Sequence, residues 1–308
     1  MVMKVDVLSV SDDTVRFLIE GVDVAFINAL RRTMISDMPC MAMDDLFVFD
    51  NSSVVNDEVL AHRIGFIPLT TDLDNYVLPE DCECGSDLGC EHCRVVLTLD
   101  VETDNEIRTV YSGDFVSEDP NVVPVTPGIP LTKLAPGQAV KIEAYARLGT
   151  GKTHAKWQPV SMAVYQHMGE VEVDEAKCTA CGECAKACPR GVISLQDGKL
   201  KVVDVLACTL CGECVKACPV EPAAIKQGLK ADAFLMIVES TGCLPPERLV
   251  TEAARILSKK LEEFSDRVER GEYHDEIEDF ESAEQISGKL YSVGSSDPDE
   301  DEEEEQQE

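Results

Sequence analysis

Asn28–Pro39, NALRRTMISDMP, with its lead-in Val22–Ile27, is the stretch on which the reading of the fold turns. Val22, Phe26, Ala29/Leu30 and Thr33/Met34 recur at helical spacing and make one apolar stripe about 100° wide. Asn28, Arg31, Arg32 and Ser36 fall off that stripe. Pro39 ends the run, because proline has no N–H for the i−4 carbonyl and biases the residue before it away from α. Alone, this is a half-buried amphipathic helix over about 23–36. What it packs against must come from the rest of the chain.

Upstream, residues 3–10 and 14–20 alternate apolar and polar around Ser11-Asp12-Asp13, a hairpin signal. Downstream, 43–50 reads as a strand turning at Asn51–Ser53. Asn56 is a candidate cap for a short helix, Asp57–Ile64. Further strands are expected at about 94–103, 107–112, 138–148 and 160–168, with a Pro/Gly-rich loop over 119–137. At the far end comes an apolar strand, Ala233–Glu239. A long helix follows from Pro246, which suits a first helical turn, to about Arg270. Leu249, Ala253, Ile256/Leu257, Leu261, Phe264 and Val268 share one face of it. Neither end of the chain has enough apolar surface to fold alone. Together they make a small α+β layer, with helices covering one face of a sheet. Residues 37 to about 230 are then insertions in that layer. The competing reading is a long final helix that only caps its own domain.

A chain of 308 residues, 44% apolar, holds two or three domains. No apolar run approaches 18 residues, so no membrane span is expected. MVMKVDVLSV lacks the basic-then-apolar layout of a signal peptide, and the expected location is cytoplasmic. The formal charge is −32, and residues 271–308 hold 16 acids against one lysine. That tail is low in aromatics and is expected to be disordered. The acidic body repels phosphates, so direct DNA binding is not expected.

Twelve of the fourteen cysteines sit in three tight groups, which in a chain without a secretion signal reads as metal ligation rather than disulfides. CTACGECAKACP (178–189) and CTLCGECVKACP (208–219) match at ten of twelve positions. Each is C-x2-C-x2-C-x3-C-P, the run of two-cluster bacterial ferredoxins, in which the fourth cysteine ligates the cluster of the other half. The expected sets are Cys178, Cys181, Cys184 and Cys218 for one [4Fe–4S] cluster and Cys208, Cys211, Cys214 and Cys188 for the second. Tetrahedral zinc is the competing occupant. Gly182 and Gly212 are expected to relieve crowding beside the clusters, and each fourth cysteine to start a short helix. A third group, Cys82, Cys84, Cys90 and Cys93, offers four thiols for a structural zinc, with His92 able to replace a neighbour; free or partly oxidised thiols are the alternative. Cys40 and Cys243 have no grouped partner and read as small hydrophobes.

GTGKT (149–153) invites a phosphate-loop reading. The first glycine of that motif would stand at position 146, which is Ala146, and Pro159 interrupts any following helix. No nucleotide site is expected there.

Four motifs in order, NALRRTMISDMP, HRIGFIPL (62–69), HAKWQPV (154–160) and the closing strand–helix pair, resemble the α-like subunits of DNA-directed RNA polymerase. These are bacterial α, the eukaryotic third-largest subunit and the archaeal D subunit. The ferredoxin-type run is similar to the archaeal branch, and the eukaryotic subunit has a comparable zinc loop. The resemblance implies a discontinuous dimerisation domain (1–37 plus 229–270), a mostly β insert domain (38–168), a ferredoxin-like domain (169–228) and the acidic tail (271–308). It implies a non-catalytic assembly platform that pairs with subunit L and then recruits the large catalytic subunits and the small subunits N and P. It places Arg31 and Arg32 against a large subunit, and Phe26, Leu30, Leu257, Leu261 and Phe264 at the interface with L. No aspartate-rich magnesium motif of a polymerase active site is present. A function of another class, a two-cluster electron carrier or an oxidoreductase subunit, is suggested by the cysteine repeat taken alone. The sequence has no flavin or dinucleotide fingerprint to accompany it.

Overall fold

The computed structural model describes residues 2–86 and 88–271. The expectation of a disordered tail falls almost wholly outside them. The chain divides into two units, Met1–Ser258 and Lys259–Glu308.

Within the first unit, strands β1 (Lys4–Val10) and β2 (Thr14–Glu20) form the opening hairpin. Helix α1 (Val24–Ser36) follows, and Asp23 caps it by accepting from the Phe26 N–H at 2.8 Å. β2 pairs antiparallel with β12 (Ile225–Ser240), Phe17 opposite Met236 and Ile19 opposite Phe234. β12 in turn pairs with β9 (Val160–Val173). The sheet order is β1-β2-β12-β9, so strands separated by some 200 residues of chain lie side by side. Val15, Phe17 and Ile19 of β2, Phe234, Met236 and Val238 of β12, and Val160 and Ala163 of β9 point to one face. Ile27, Leu30 and Met34 of α1 close over it, with Leu249 and Ala253 from the first turns of α5 (Pro246–Arg270). Each fully buried aliphatic or aromatic side chain there contributes about 1.5–3 kcal/mol, so neither end would hold without the other.

The stripe of α1 departs from its expected phase in the first turn. Ile27 is fully buried, whereas Phe26 and Val22 are half-buried at the margin. The turn at Gly151 fits under the end of this helix. A Cβ on Gly151 would collide with the Ile35 carbonyl oxygen, and the Lys152 N–H donates to the Ser36 carbonyl at 2.8 Å. GTGKT thus closes a helix end.

Between these ends lies a second layer. β3 (Pro39–Asn51), β4 (Arg94–Glu102), β6 (Val116–Ser117) and β8 (Ala139–Thr150) form a sheet of order β3-β8-β4-β6. β5 (Arg108–Tyr111) pairs with β7 (Pro130–Leu134). β7 falls where only loop was expected; its Leu131 and Leu134 are fully buried beside Leu97, Leu99 and Ile142. Helix α2 (Asp57–Gly65) covers this core with Leu60 and Ile64. Asn56 stands at its N-cap position but makes no side-chain capping bond; the Asn51 amide bonds Asp57 instead, at 2.6 Å.

β3, β9 and β12 all run longer than expected, because pairing across the sheet, and not local apolar content, sets their length. The polar first half of β12 is held against Gly169–Val173 of β9. No described helix is long and apolar enough to cross a membrane.

Candidate metal centres

The ends of β9 and β12 carry a small substructure: α3 (Glu183–Ala187), the hairpin β10 (Ile193–Gln196) and β11 (Lys199–Val202), and α4 (Glu213–Lys216). Its core contains cysteines together with Val192, Ile193, Leu200 and Ile225. Two small hollows open within it. One is lined by Cys178, Cys181, Cys184 and Cys218, and the other by Cys208, Cys211, Cys214 and Cys188. The halves match in burial as well: Cys184 and Cys214 are buried, Cys181 and Cys211 exposed. Burial pushes the Cys184 and Cys214 thiols above their ordinary range; a bound cation acts the other way, since it favours the thiolate.

The backbone around each set is strained in the same places. Ala180 and Leu210, the equivalent residues of the two C-x2-C turns, adopt φ of 55° and 57°. Residues with a Cβ pay about 1–3 kcal/mol for that conformation and keep it only where the surrounding structure over-determines it. Gly182 and Gly212, at φ 79° and 77°, begin the short helices. A Cβ on either would meet no protein atom closer than 3.7 Å, and the left-handed backbone by itself favours glycine there. Cys188 ends α3, and Cys218 follows the end of α4. Each fourth cysteine thus leaves a helix, correcting the expectation that it starts one.

The third thiol group is of another kind. The four sulfurs of Cys82, Cys84, Cys90 and Cys93 all lie within 4.8 Å of one another. Cys82 to Cys90 is 3.7 Å, and Cys93 is 3.9 Å from both Cys84 and Cys90. A tetrahedral zinc with bonds near 2.3 Å places its sulfurs about 3.8 Å apart, so the set fits one such ion; a disulfide needs about 2.05 Å. The Ser86 backbone N–H, with the neighbouring thiols, lowers Cys84 to about 7. Arg94 and Arg147 line the same hollow. His92 stays outside, its side chain 72% exposed beside Glu91.

Cys40 and Cys243 are not solitary. Both are buried in one core cluster, where Cys40 lies 3.6 Å from the Thr71 hydroxyl and Cys243 donates to the Pro159 carbonyl at 3.5 Å. They meet where β3 leaves α1 and where β12 turns into α5. Separation of 203 positions hid this contact from the sequence.

HRIGFIPL and HAKWQPV also meet. The Phe66 ring lies 5.0 Å from His62 and 5.6 Å from His154. Lys156 and Arg147 both pair with Asp44. Burial opposes ionisation of that carboxyl, but the Lys156 hydrogen bond and the two cations hold it below its ordinary range.

Of the residues expected at partner surfaces, Leu30 is 4% exposed inside the chain's own core, where the phase of α1 puts it. Phe26 and Leu257 are half-buried. In the second unit, Leu261, Phe264 and Val268 are 61%, 66% and 49% exposed. Arg31 is held by the Asn28 amide oxygen at 3.0 Å, and Arg32 is exposed.

A sheet closed by strands from distant parts of one chain, helices on one face and apolar side chains left exposed on the last helix define the assembly type of α+β layer. The chain belongs to the RNA polymerase Rpb3/Rpb11 dimerisation domain family, whose profile matches residues 16–261. Proteins named DNA-directed RNA polymerase subunit Rpo3 are similar to it over most of their length. That of Archaeoglobus fulgidus is 40% identical over 269 residues, covering 87% of this chain and 99% of the relative. That of Methanothermobacter thermautotrophicus is 41% identical over 256 residues, covering 82% and 94%. That of Methanosphaera stadtmanae is 37% identical over 262 residues, covering 84% and 96%.

Proposed function

We propose that this chain is the non-catalytic assembly subunit of a DNA-directed RNA polymerase, as its Rpo3 relatives are named to be subunits of that enzyme. The observation that carries the reading is the pairing of β2 with β12 beneath α1 and the start of α5, which makes one layer from both ends of the family match. Its dimer partner is the smaller subunit of the same fold family, subunit L. Phe26, Leu257, Leu261 and Phe264 contact that partner, and Arg31 and Arg32 a large catalytic subunit. Leu30 supports the layer from inside. The small subunits N and P join the same assembly, and the chain itself does not touch DNA. The layer and the inserts follow the boundaries 1–37 plus 229–270, 38–168 and 169–228.

The cysteine repeat is a ferredoxin-like domain for two [4Fe–4S] clusters. Eight thiols in two like sets, in otherwise mostly apolar linings, suit iron–sulfur clusters better than a hard cation. Cys82, Cys84, Cys90 and Cys93 hold one structural zinc. The electron-carrier alternative is disfavoured, since the family match runs through the assembly layer on both sides of the repeat.

The test is affinity purification of the tagged chain from its native cells. Co-elution with the large polymerase subunits is expected, with about eight irons and one zinc per chain. Co-elution with redox enzymes and no polymerase subunit would overturn the reading.

A further inference from the structure

The cysteine repeat extends four residues further upstream than the matching runs, and there its halves part company. Asp174-Glu175-Ala176-Lys177 leads into Cys178, and Asp204-Val205-Leu206-Ala207 leads into Cys208. The turns are alike: Asp174 accepts from the Ala176 N–H at 3.1 Å, and Asp204 from the Leu206 N–H at 3.0 Å. The side chains are not. Glu175, Ala176 and Lys177 are all exposed, with Glu175 paired to Lys199 at the surface. Val205 and Leu206 instead pack against Met168, Ala233 and Leu235, on the face of the assembly sheet opposite the helices.

A second contact lies beside the first. Gly169 of β9 is buried against the second thiol set. A Cβ there would stand 3.1 Å from the Cys208 Cβ, 3.3 Å from its sulfur and 3.4 Å from Leu210. Gly169 pairs with Leu229, next to the register break between Leu229 and Phe234 at which β12 enters the assembly core. Among the described residues, the ladder pair lining the first thiol set is Val173 and Ile225, at the far end of β9–β12.

We propose that Gly169 is a positioning residue for the Cys188/Cys208/Cys211/Cys214 centre, and that occupancy of this centre, not of the Cys178/Cys181/Cys184/Cys218 centre, holds the back of the assembly sheet in place. The inference rests on the two-cluster reading above. With the second centre filled, Cys208 is fixed, the Val205–Leu206 turn stays seated, and Met168 and Leu235 stay covered. With it empty, the turn lifts and the β12–β9 ladder loosens beside its register break. The first centre, joined through a polar turn, fills or empties without reaching the sheet.

The full-length chain is compared in four variants, by iron and acid-labile sulfide content and by hydrogen exchange over residues 163–169 and 233–238. Gly169→Ala is expected to lose about half of the iron. Gly228→Ala, on the same ladder but with open space where its Cβ would lie, keeps all of it. Cys211→Ser and Cys181→Ser each lose about half of the iron, but only Cys211→Ser speeds exchange in 233–238, by roughly tenfold. Equal acceleration by the two cysteine variants, or full iron in Gly169→Ala, overturns the proposal. The cysteine pair decides the matter even if Gly169→Ala fails to fold. A wild-type chain without iron would instead overturn the two-cluster reading itself, and this inference with it.

Discussion

Two sulfur-rich regions of this chain look alike in sequence and differ in space. In the loop 82–93 four sulfurs already stand within 4.8 Å of one another. In the repeat 178–218 eight sulfurs ring two small hollows, and no four described there draw together in that way. The two sulfur spacings suit occupants of different size. A single ion pulls its ligands to van der Waals contact, while a polynuclear cluster keeps them apart and needs a shaped hollow. The loop region runs directly into β4 of the insert sheet. The repeat is built into the ends of two strands that continue into the assembly layer.

The largest effect that contrast predicts comes from emptying both hollows. Cys181→Ser with Cys211→Ser should abolish exchange protection in the β10–β11 hairpin, since metal binding and folding are one event in so small a core. The same variant should still bind one zinc. Loss of both metals together would break the distinction between the regions. Next, Cys90→Ser should empty only the loop, lowering thermal stability by about 3 kcal/mol and leaving iron content unchanged. Third, Phe264→Asp tests whether either sulfur region is needed for the partner surface. It should leave both metals in place and change the stability of the chain by less than about 0.5 kcal/mol, while weakening the heterodimer in a titration by about 2 kcal/mol. Smallest is Asp44→Asn, which removes the shared carboxylate of Lys156 and Arg147 and leaves Arg147 only Asp45, at a cost of about 1–2 kcal/mol near neutral pH. The carboxyl lies below its ordinary value of 3.8 in the folded chain. Its contribution is therefore complete above that value and disappears as pH falls through the lower folded one. The gap between wild type and variant in a thermal melt should close in acid and stay constant toward neutrality; a gap that widens in acid would remove the ion-pair account.

What the sequence made legible was local. The cysteine spacings pick out the twelve thiols that the fold gathers into three groups, because thiols on one tight turn are neighbours in sequence. The long helix was bounded by Pro246 and by a stripe running to Val268. What it hid was pairing at a distance. The polar segment 225–232 carries no apolar alternation, and β9 alone makes it a strand. β7 looked like loop because Pro127, Gly128 and Pro130 surround it, although Leu131 and Leu134 fill the insert core. The stripe of α1 holds at Leu30, Thr33 and Met34, but in the first turn the sheet below accepts Ile27 and leaves the larger Phe26 ring at its margin. The left-handed turns at Ala180 and Leu210 had no composition signal at all.

The pairing of β2 with β12 has a consequence for biosynthesis. A ribosome makes β2 first and must read on through more than two hundred codons before β12 exists to close its open edge. Until then the nascent protein has a hairpin with one apolar side bare and nothing complete to offer a mate. A message broken anywhere in the middle yields a product whose first hairpin never gains the strand that closes its sheet.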